Sequence, residues 1–267
     1  MISLGPLPIM AILALACCGI ALGLVKWRLR RQAPDLSRRG ADVAFWMLLW
    51  LLLAARAGFV LTRMDSYASD PLSLLRFADG GFSLPWGIAA ALLYGGWATR
   101  SQRRLRAPLL VSMSAALALW WLGGWAISAA QREAIVLPEV ALQTLDGRPT
   151  TLAAHRGKPI VLNLWATWCP PCRREMPVLA RAQASQSHAQ ILLVNQGEDQ
   201  ATISHYLQTQ GLQVRDVYLD PGMHSMKAAG TQGLPTTLFF DANGRLVDAH
   251  MGEITAPVLQ DKLSLLD

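Results

Sequence analysis

The stretch NLWATWCPPCRREMP, residues 163–177, sets Cys169 and Cys172 two residues apart, directly after the apolar run PIVLNLWAT and before a helix-like segment. Two thiols at that spacing serve as a dithiol–disulfide couple or as half of a metal site. A zinc site needs two more ligands at suitable spacing. Residues 133–267 contain no other cysteine, and the histidines at 155, 188, 205, 224 and 250 are scattered along them. The pair therefore reads as a redox centre, with no metal and no cofactor expected beyond its own disulfide. A permanent structural disulfide is the alternative, although closing so short a loop restrains little chain.

The chemistry depends on where a helix starts. If Cys169 opens one, its sulfur meets unpaired backbone N–H groups and the positive end of the helix dipole, and both favour the thiolate. Pro170 and Pro171 suit a first turn, because the N–H groups they lack have no helical partner there. They also withdraw two donors from the thiolate, so Cys169 should be activated less than in the strongest oxidants. Cys172, one turn on, should be buried and should resolve the mixed disulfide that Cys169 forms. Pro177 should kink the helix. Trp165 and Trp168 flank the pair as an apolar surface for a substrate, with Trp165 equally suited to the core. Glu198, in NQGED, either lies near the site or opens a helix.

The elements that must hold this motif alternate, as in an α/β domain. EVALQTLDGRPTTLA reads as a hairpin around Asp146-Gly147, and PIVLNLWAT as a buried strand. A helix from about Pro170, a strand ILLVNQ, a helix over about 200–210 and a strand DVYLD follow. TTLFFDANGRLVDAHMGE turns at Asn243-Gly244, and APVLQDKLSLL ends the chain as a helix.

Residues 1–132 have a different texture. They carry 14 Lys+Arg against 5 Asp+Glu, a net of +9, whereas residues 133–267 carry 10 against 13, a net of −3. The chain is 52% hydrophobic and only 16% charged, too apolar for a water-soluble protein of 267 residues. Leu7–Val25, Gly80–Thr99 and Ala107–Gln131 are apolar runs without charge, and Val43–Thr62 contains only Arg56. Each approaches the roughly 20 residues that span a bilayer, so about four transmembrane helices are expected. The third run is the weakest, diluted by glycines and Pro85. Arginines bracket these runs, which marks membrane flanks and not a nucleic-acid surface. Lys26, Arg28, Arg30, Arg31, Arg38 and Arg39 lie between the first two runs, and Arg100, Arg103, Arg104 and Arg106 between the last two. The loop between the second and third offers Arg63 and Arg76 against Asp65, Asp70 and Asp79. Positive loops stay in the cytoplasm. Both termini are thus expected on the far side of a bacterial cytoplasmic (inner) membrane, with the redox half in the periplasm. Positive charge follows the first run and does not precede it, so that run is expected to stay as a span. Cys17 and Cys18 are expected to pack as small apolar residues. Arg56 is an intramembrane charge of the kind that is often functional, and snorkelling to a nearby interface is the favoured alternative.

Two family resemblances bear on this reading. ARAGFVLTRMDSYASDPLSLLRFADGGFSLPWG, residues 55–87, resembles the segment of prolipoprotein diacylglyceryl transferases that leaves one helix, crosses a periplasmic loop and enters the next. Where that family places a functional histidine, this chain has Leu84-Pro85-Trp86, and no histidine precedes His155. The resemblance therefore implies a truncated anchor without the transferase activity. GKPIVLNLWATWCPPCRREMPVL, LLVNQGE and GLPTTLFFDANGRLV resemble the membrane-tethered TlpA/ResA family of thioredoxin-fold proteins. That resemblance implies Cys169 as nucleophile, Cys172 as resolving thiol and Pro235 as a cis-proline whose loop takes up the substrate backbone. Trp168, Pro170, Pro171, Leu234 and Pro235 would form the substrate-binding surface. Glu175 matches an acidic residue that tunes thiol ionisation in reductive members; the alternative is a solvated glutamate on a helix face. Asn163 stands where cytoplasmic thioredoxins have a buried aspartate.

The expected architecture is an all-α polytopic membrane domain, residues 1–132, followed by an α/β thioredoxin-fold domain, residues 133–267. The expected activity is a tethered periplasmic thiol–disulfide oxidoreductase that reduces protein disulfides. Its partners would be proteins with disulfides or thiols, a membrane electron donor of the DsbD/CcdA kind and the lipid bilayer. A weak oxidase that donates its disulfide to folding proteins is the second reading. A lipid-modifying transferase with a redox domain and a structural scaffold follow.

Overall fold

The computed structural model describes residues 3–4, 7–30, 34–67, 80–185 and 188–266. The chain divides into two compact units, one of Ile9–Ile127 and one that includes Ser128–Asp267.

The first unit is helical: α1 (Ile9–Arg30), α2 (Pro34–Leu61), α3 (Leu84–Ala98) and α4 (Arg106–Ala134). Among the described residues, α1, α2 and the stretch 103–130 are long and apolar enough to cross a membrane. The third expected span is shorter than its apolar run, because Pro85 sets the start of α3 and leaves a helix of 15 residues. At 1.5 Å per residue that is about 22 Å, under the ~30 Å of a hydrocarbon core. Inside the unit, Cys17, Ala21, Val25, Val43, Met47, Ala91 and Leu109 share one apolar core, so Cys17 packs as expected. Small residues let α3 approach α2. A Cβ on Gly87 would stand 2.5 Å from the Leu51 carbonyl oxygen. Outside it, Trp46, Trp50, Leu93, Trp121 and Trp125 are exposed, a surface suited to lipid and not to water. Arg56 departs from expectation. It is only 4% exposed, and Nη1 donates to the Gly81 carbonyl at 3.0 Å. The Tyr67 and Phe82 rings lie 5.9 and 6.0 Å from its guanidinium carbon. A buried cation must find an acceptor, and the Gly81 carbonyl is one within the protein. Asp70, Arg76 and Asp79 of the expected outer loop lie outside the described residues.

The second unit is built on a seven-stranded mixed sheet, its strands being β1 (Ala141–Thr144), β2 (Pro149–Thr151), β3 (Ile160–Trp165), β4 (Gln190–Gln196), β5 (Val217–Asp220), β6 (Thr236–Phe240) and β7 (Leu246–Met251), in the order β2-β1-β5-β4-β3-β6-β7. β3 runs parallel to β4 and antiparallel to β6, with Leu164 opposite Thr236. All six residues of β3 are buried, as a continuous apolar run covered on both faces requires. Helices α5 (Pro170–Ser185), α6 (Gln200–Thr209), α7 (His224–Ala228) and α8 (Ala256–Leu263) complete the unit. This is the thioredoxin-like arrangement that the motifs imply. Both hairpin turns fall where Asp-Gly and Asn-Gly stand, with Gly147 at φ +80° and Gly244 at φ +77°. The left-handed region costs glycine nothing sterically, so each turn closes there. Pro177 lies inside α5 without ending it.

Candidate active site

β3 ends at Trp165 and α5 begins at Pro170, so Cys169 occupies the position just ahead of the helix. Cys169 and Cys172 form a disulfide with a Cα–Cα distance of 5.3 Å. Cys169 is 3% exposed and Cys172 not at all, so the first sulfur is the one nearer to a partner. Because Pro170 and Pro171 have no N–H, the first helical donor is that of Cys172, which points to Cys169 Sγ at 3.3 Å. One amide on the sulfur, with the dipole behind it, favours a thiolate modestly.

α5 then turns one face inward. Cys172, Glu175, Met176, Leu179 and Gln183 are buried at helical spacing. Glu175, three residues after Cys172, lies on the same buried face of the helix. It is fully buried, so it is not the solvated helix-face glutamate that its neighbours Arg173 and Arg174 suggest. Its Oε1 accepts from Asn163 Nδ2 at 2.7 Å and its Oε2 from the Ile254 N–H at 2.9 Å. Asn163 Nδ2 also donates to Thr237 Oγ1 at 3.1 Å. Burial pushes the Glu175 carboxyl up to about 8, the two hydrogen bonds opposing the shift and the nearby Glu253 adding to it. Glu175 thus carries its proton at neutral pH. Asn163 stands below the site as its hydrogen-bond partner.

The rim is apolar. Trp168 is 66% exposed beside Cys169; Pro170 is exposed, and Pro171 and Leu234 are half-buried. Trp165 is fully buried with its ring 5.6 Å from that of Tyr206, so of its two readings the structure selects core. The Leu234–Pro235 peptide is cis. Pairing of Thr236 with Leu164 sets the buried Pro235 beside Trp165, at the end of the strand that leads to Cys169.

Sequence reasoning left Glu198 undecided and passed over Thr167, Glu253 and Ile254. Glu198 accepts from the Thr167 N–H at 2.7 Å, from Asn195 Nδ2 at 2.7 Å and from the Thr167 hydroxyl. It therefore pins the loop two residues ahead of Cys169 to the end of β4, while Asp199 caps α6 through the Thr202 N–H. Glu198→Ala strips three donors of their acceptor. It should lower stability by about 2–3 kcal/mol, read as an earlier urea midpoint with an unchanged slope. Among the described residues no cluster of His, Cys, Asp and Glu could hold a metal.

Comparison with known proteins gives the following. A redoxin family model matches residues 132–263 and a prolipoprotein diacylglyceryl transferase model residues 1–127. Thiol-disulfide oxidoreductase ResA of Halalkalibacterium halodurans is 31% identical over 127 residues, 47% of this chain and 72% of that one. ResA of Bacillus subtilis is 28% identical over 131 residues, 48% of this chain and 73% of that one. A crystal structure of a thiol:disulfide interchange protein of the thioredoxin family from Chlorobium tepidum is 26% identical. It covers 49% of this chain and 95% of that one with a TM-score of 0.43.

Proposed function

Given that the chain belongs to the redoxin family of ResA-type thiol–disulfide oxidoreductases, we propose that it is a membrane-tethered reductase of protein disulfides facing the periplasm. The observation that carries the direction is Glu175, a fully buried carboxyl on the inner face of α5, protonated at neutral pH and one turn from Cys172. A reductase must return protons with its electrons, and this group holds one a helical turn from Cys172.

In the proposed cycle the Cys169 thiolate attacks one sulfur of a substrate disulfide. The substrate S–S bond breaks, its second sulfur leaves as a thiolate that takes up a proton, and a mixed disulfide forms. The Cys172 thiol loses its proton as it attacks Cys169 Sγ and displaces the substrate's first sulfur, which leaves as a thiolate and takes up that proton. Two electrons have passed to the substrate, and the protein is left with the Cys169–Cys172 disulfide seen in the structure. Trp168, Pro170, Pro171 and the Leu234–Pro235 loop would seat the substrate backbone against Cys169. Re-reduction calls for a membrane dithiol donor of the DsbD/CcdA kind, because a relay across the bilayer needs more than the adjacent Cys17 and Cys18 within one helix.

We read residues 1–132 as an anchor that crosses the bilayer four times. The arginine-rich loops flanking the α2–α3 pair fall on one side only if both helices cross, the short α3 included. With no histidine before His155, this anchor would have no general base for lipid transfer.

Acid-quenched thiol trapping of the full chain in its host tests the direction. Free Cys169 and Cys172 are expected at steady state. A predominantly bonded pair, with a reduction potential near those of oxidases, would favour donation of the disulfide instead.

A further inference from the structure

The segment after β7 touches three parts of the site within three residues. Gly252, at φ +100°, donates its N–H to the Pro235 carbonyl at 2.9 Å. The Ile254 N–H is on Glu175 Oε2. Between them, Glu253 Oε2 receives both Nε and Nη2 of Arg174 at 2.7 Å. Arg174 is the residue of α5 next to Glu175, and Glu253 is next to Ile254. The strap is thus fastened at both ends, and it holds one carboxylate against the cover of another. The Glu253 side chain is 10% exposed and that of Arg174 48%.

We propose that Glu253 is a positioning residue of the redox site: held by Arg174, it sets the pH at which Glu175 releases its proton. This rests on the thiol–disulfide reading of the site. A like charge nearby disfavours ionisation of a carboxyl, and Glu253 therefore keeps Glu175 protonated to higher pH. Arg174 does the reverse, offsetting the Glu253 charge. The Glu175 carboxyl meets Asn163 from β3 and the Ile254 N–H from the strap, with the Glu253 charge nearby. Cys172 lies one turn before it on its own helix, Arg174 is its chain neighbour, and Thr237 of β6 reaches it through Asn163. His250 of β7 faces the Glu253 carbonyl through Nε2 at 3.2 Å.

The pair yields opposite signs, which a merely structural clamp does not. Glu253→Gln keeps an oxygen for Arg174 and removes the charge, so Glu175 should titrate at lower pH. Arg174→Gln leaves Glu253 uncompensated, so Glu175 should titrate at higher pH. Each displacement should be roughly half a unit, given that Arg174 is half in water. Arg174→Lys, with the charge retained, should return the midpoint towards that of the unaltered protein.

The readout is the infrared C=O stretch of protonated Glu175, assigned by its loss in Glu175→Gln. It is followed from pH 5 to 10 in the oxidised full-length protein in detergent micelles. With the disulfide closed, neither Cys169 nor Cys172 titrates alongside. Opposite displacements for Glu253→Gln and Arg174→Gln are expected. Displacements of the same sign, reversed signs or midpoints unmoved overturn the proposal. Should Glu253→Gln fail to fold, the Arg174→Gln and Arg174→Lys midpoints decide it, a rise and a return being expected. The oxidised protein is titrated in isolation, so a disulfide-bonded steady state in the host would defeat the reductase reading and leave this result untouched.

Discussion

Cys169→Ser should abolish disulfide exchange, whereas Cys172→Ser should preserve the first attack and accumulate a mixed disulfide with substrate. The asymmetry follows from geometry. Cys169 lies ahead of α5 at the rim, with the Cys172 N–H on its sulfur, and Cys172 is sealed beneath it. A serine hydroxyl stays protonated at this position and is a poor nucleophile towards sulfur, so the rate should fall on the order of 10³-fold or more. In Cys172→Ser the nucleophile survives, but nothing attacks Cys169 Sγ from within, so the intermediate persists. Non-reducing electrophoresis of the full chain with a disulfide-bonded test protein reads both results. A trapped adduct in Cys169→Ser and none in Cys172→Ser would reverse the two roles.

Glu175→Gln should raise stability at alkaline pH and change it little near pH 4. The carboxyl has an ordinary value of 4.5 and is pushed up to about 8 in the fold. Below 4.5 the folded and unfolded chains both hold the proton. Between 4.5 and about 8 the unfolded chain releases it and the folded chain does not, so stability falls as pH rises. Above 8 the whole penalty is present, roughly 4–5 kcal/mol at most for that interval. The amide never incurs this cost, and Asn163 can meet it: the Asn163 Oδ1 atom, which has no partner among the described residues, can turn to accept from the introduced NH₂ group. A gain of about 2–4 kcal/mol at pH 9 is expected, read from thermal unfolding at pH 4, 7 and 9. A parallel pH dependence in the two proteins would mean that Glu175 is not the group responsible. The same substitution removes the internal proton, so exchange near pH 7 should slow by about tenfold or more.

What local sequence determines here is considerable. An apolar run followed by Cys-Pro-Pro-Cys can hardly avoid a strand–helix junction with one sulfur at the helix start, because proline is tolerated in a first turn. Asp146-Gly147 and Asn243-Gly244 place their turns through the backbone freedom of glycine. Long apolar runs bracketed by arginine identify a membrane unit, though the length of α3 depended on where Pro85 let a helix begin. Glu175 is different. Its neighbours Arg173 and Arg174 are charged, so nothing nearby in the chain says that it is buried. Its fate is decided by partners 12 and 79 residues away, Asn163 and Ile254. Glu198 is tied to Thr167 across 31 residues, and Arg174 to Glu253 across 79. Arg56 meets the Gly81 carbonyl across 25. Whether a buried polar group is tolerated depends on the donors and acceptors that the assembled fold brings to it, and only the tertiary structure supplies those.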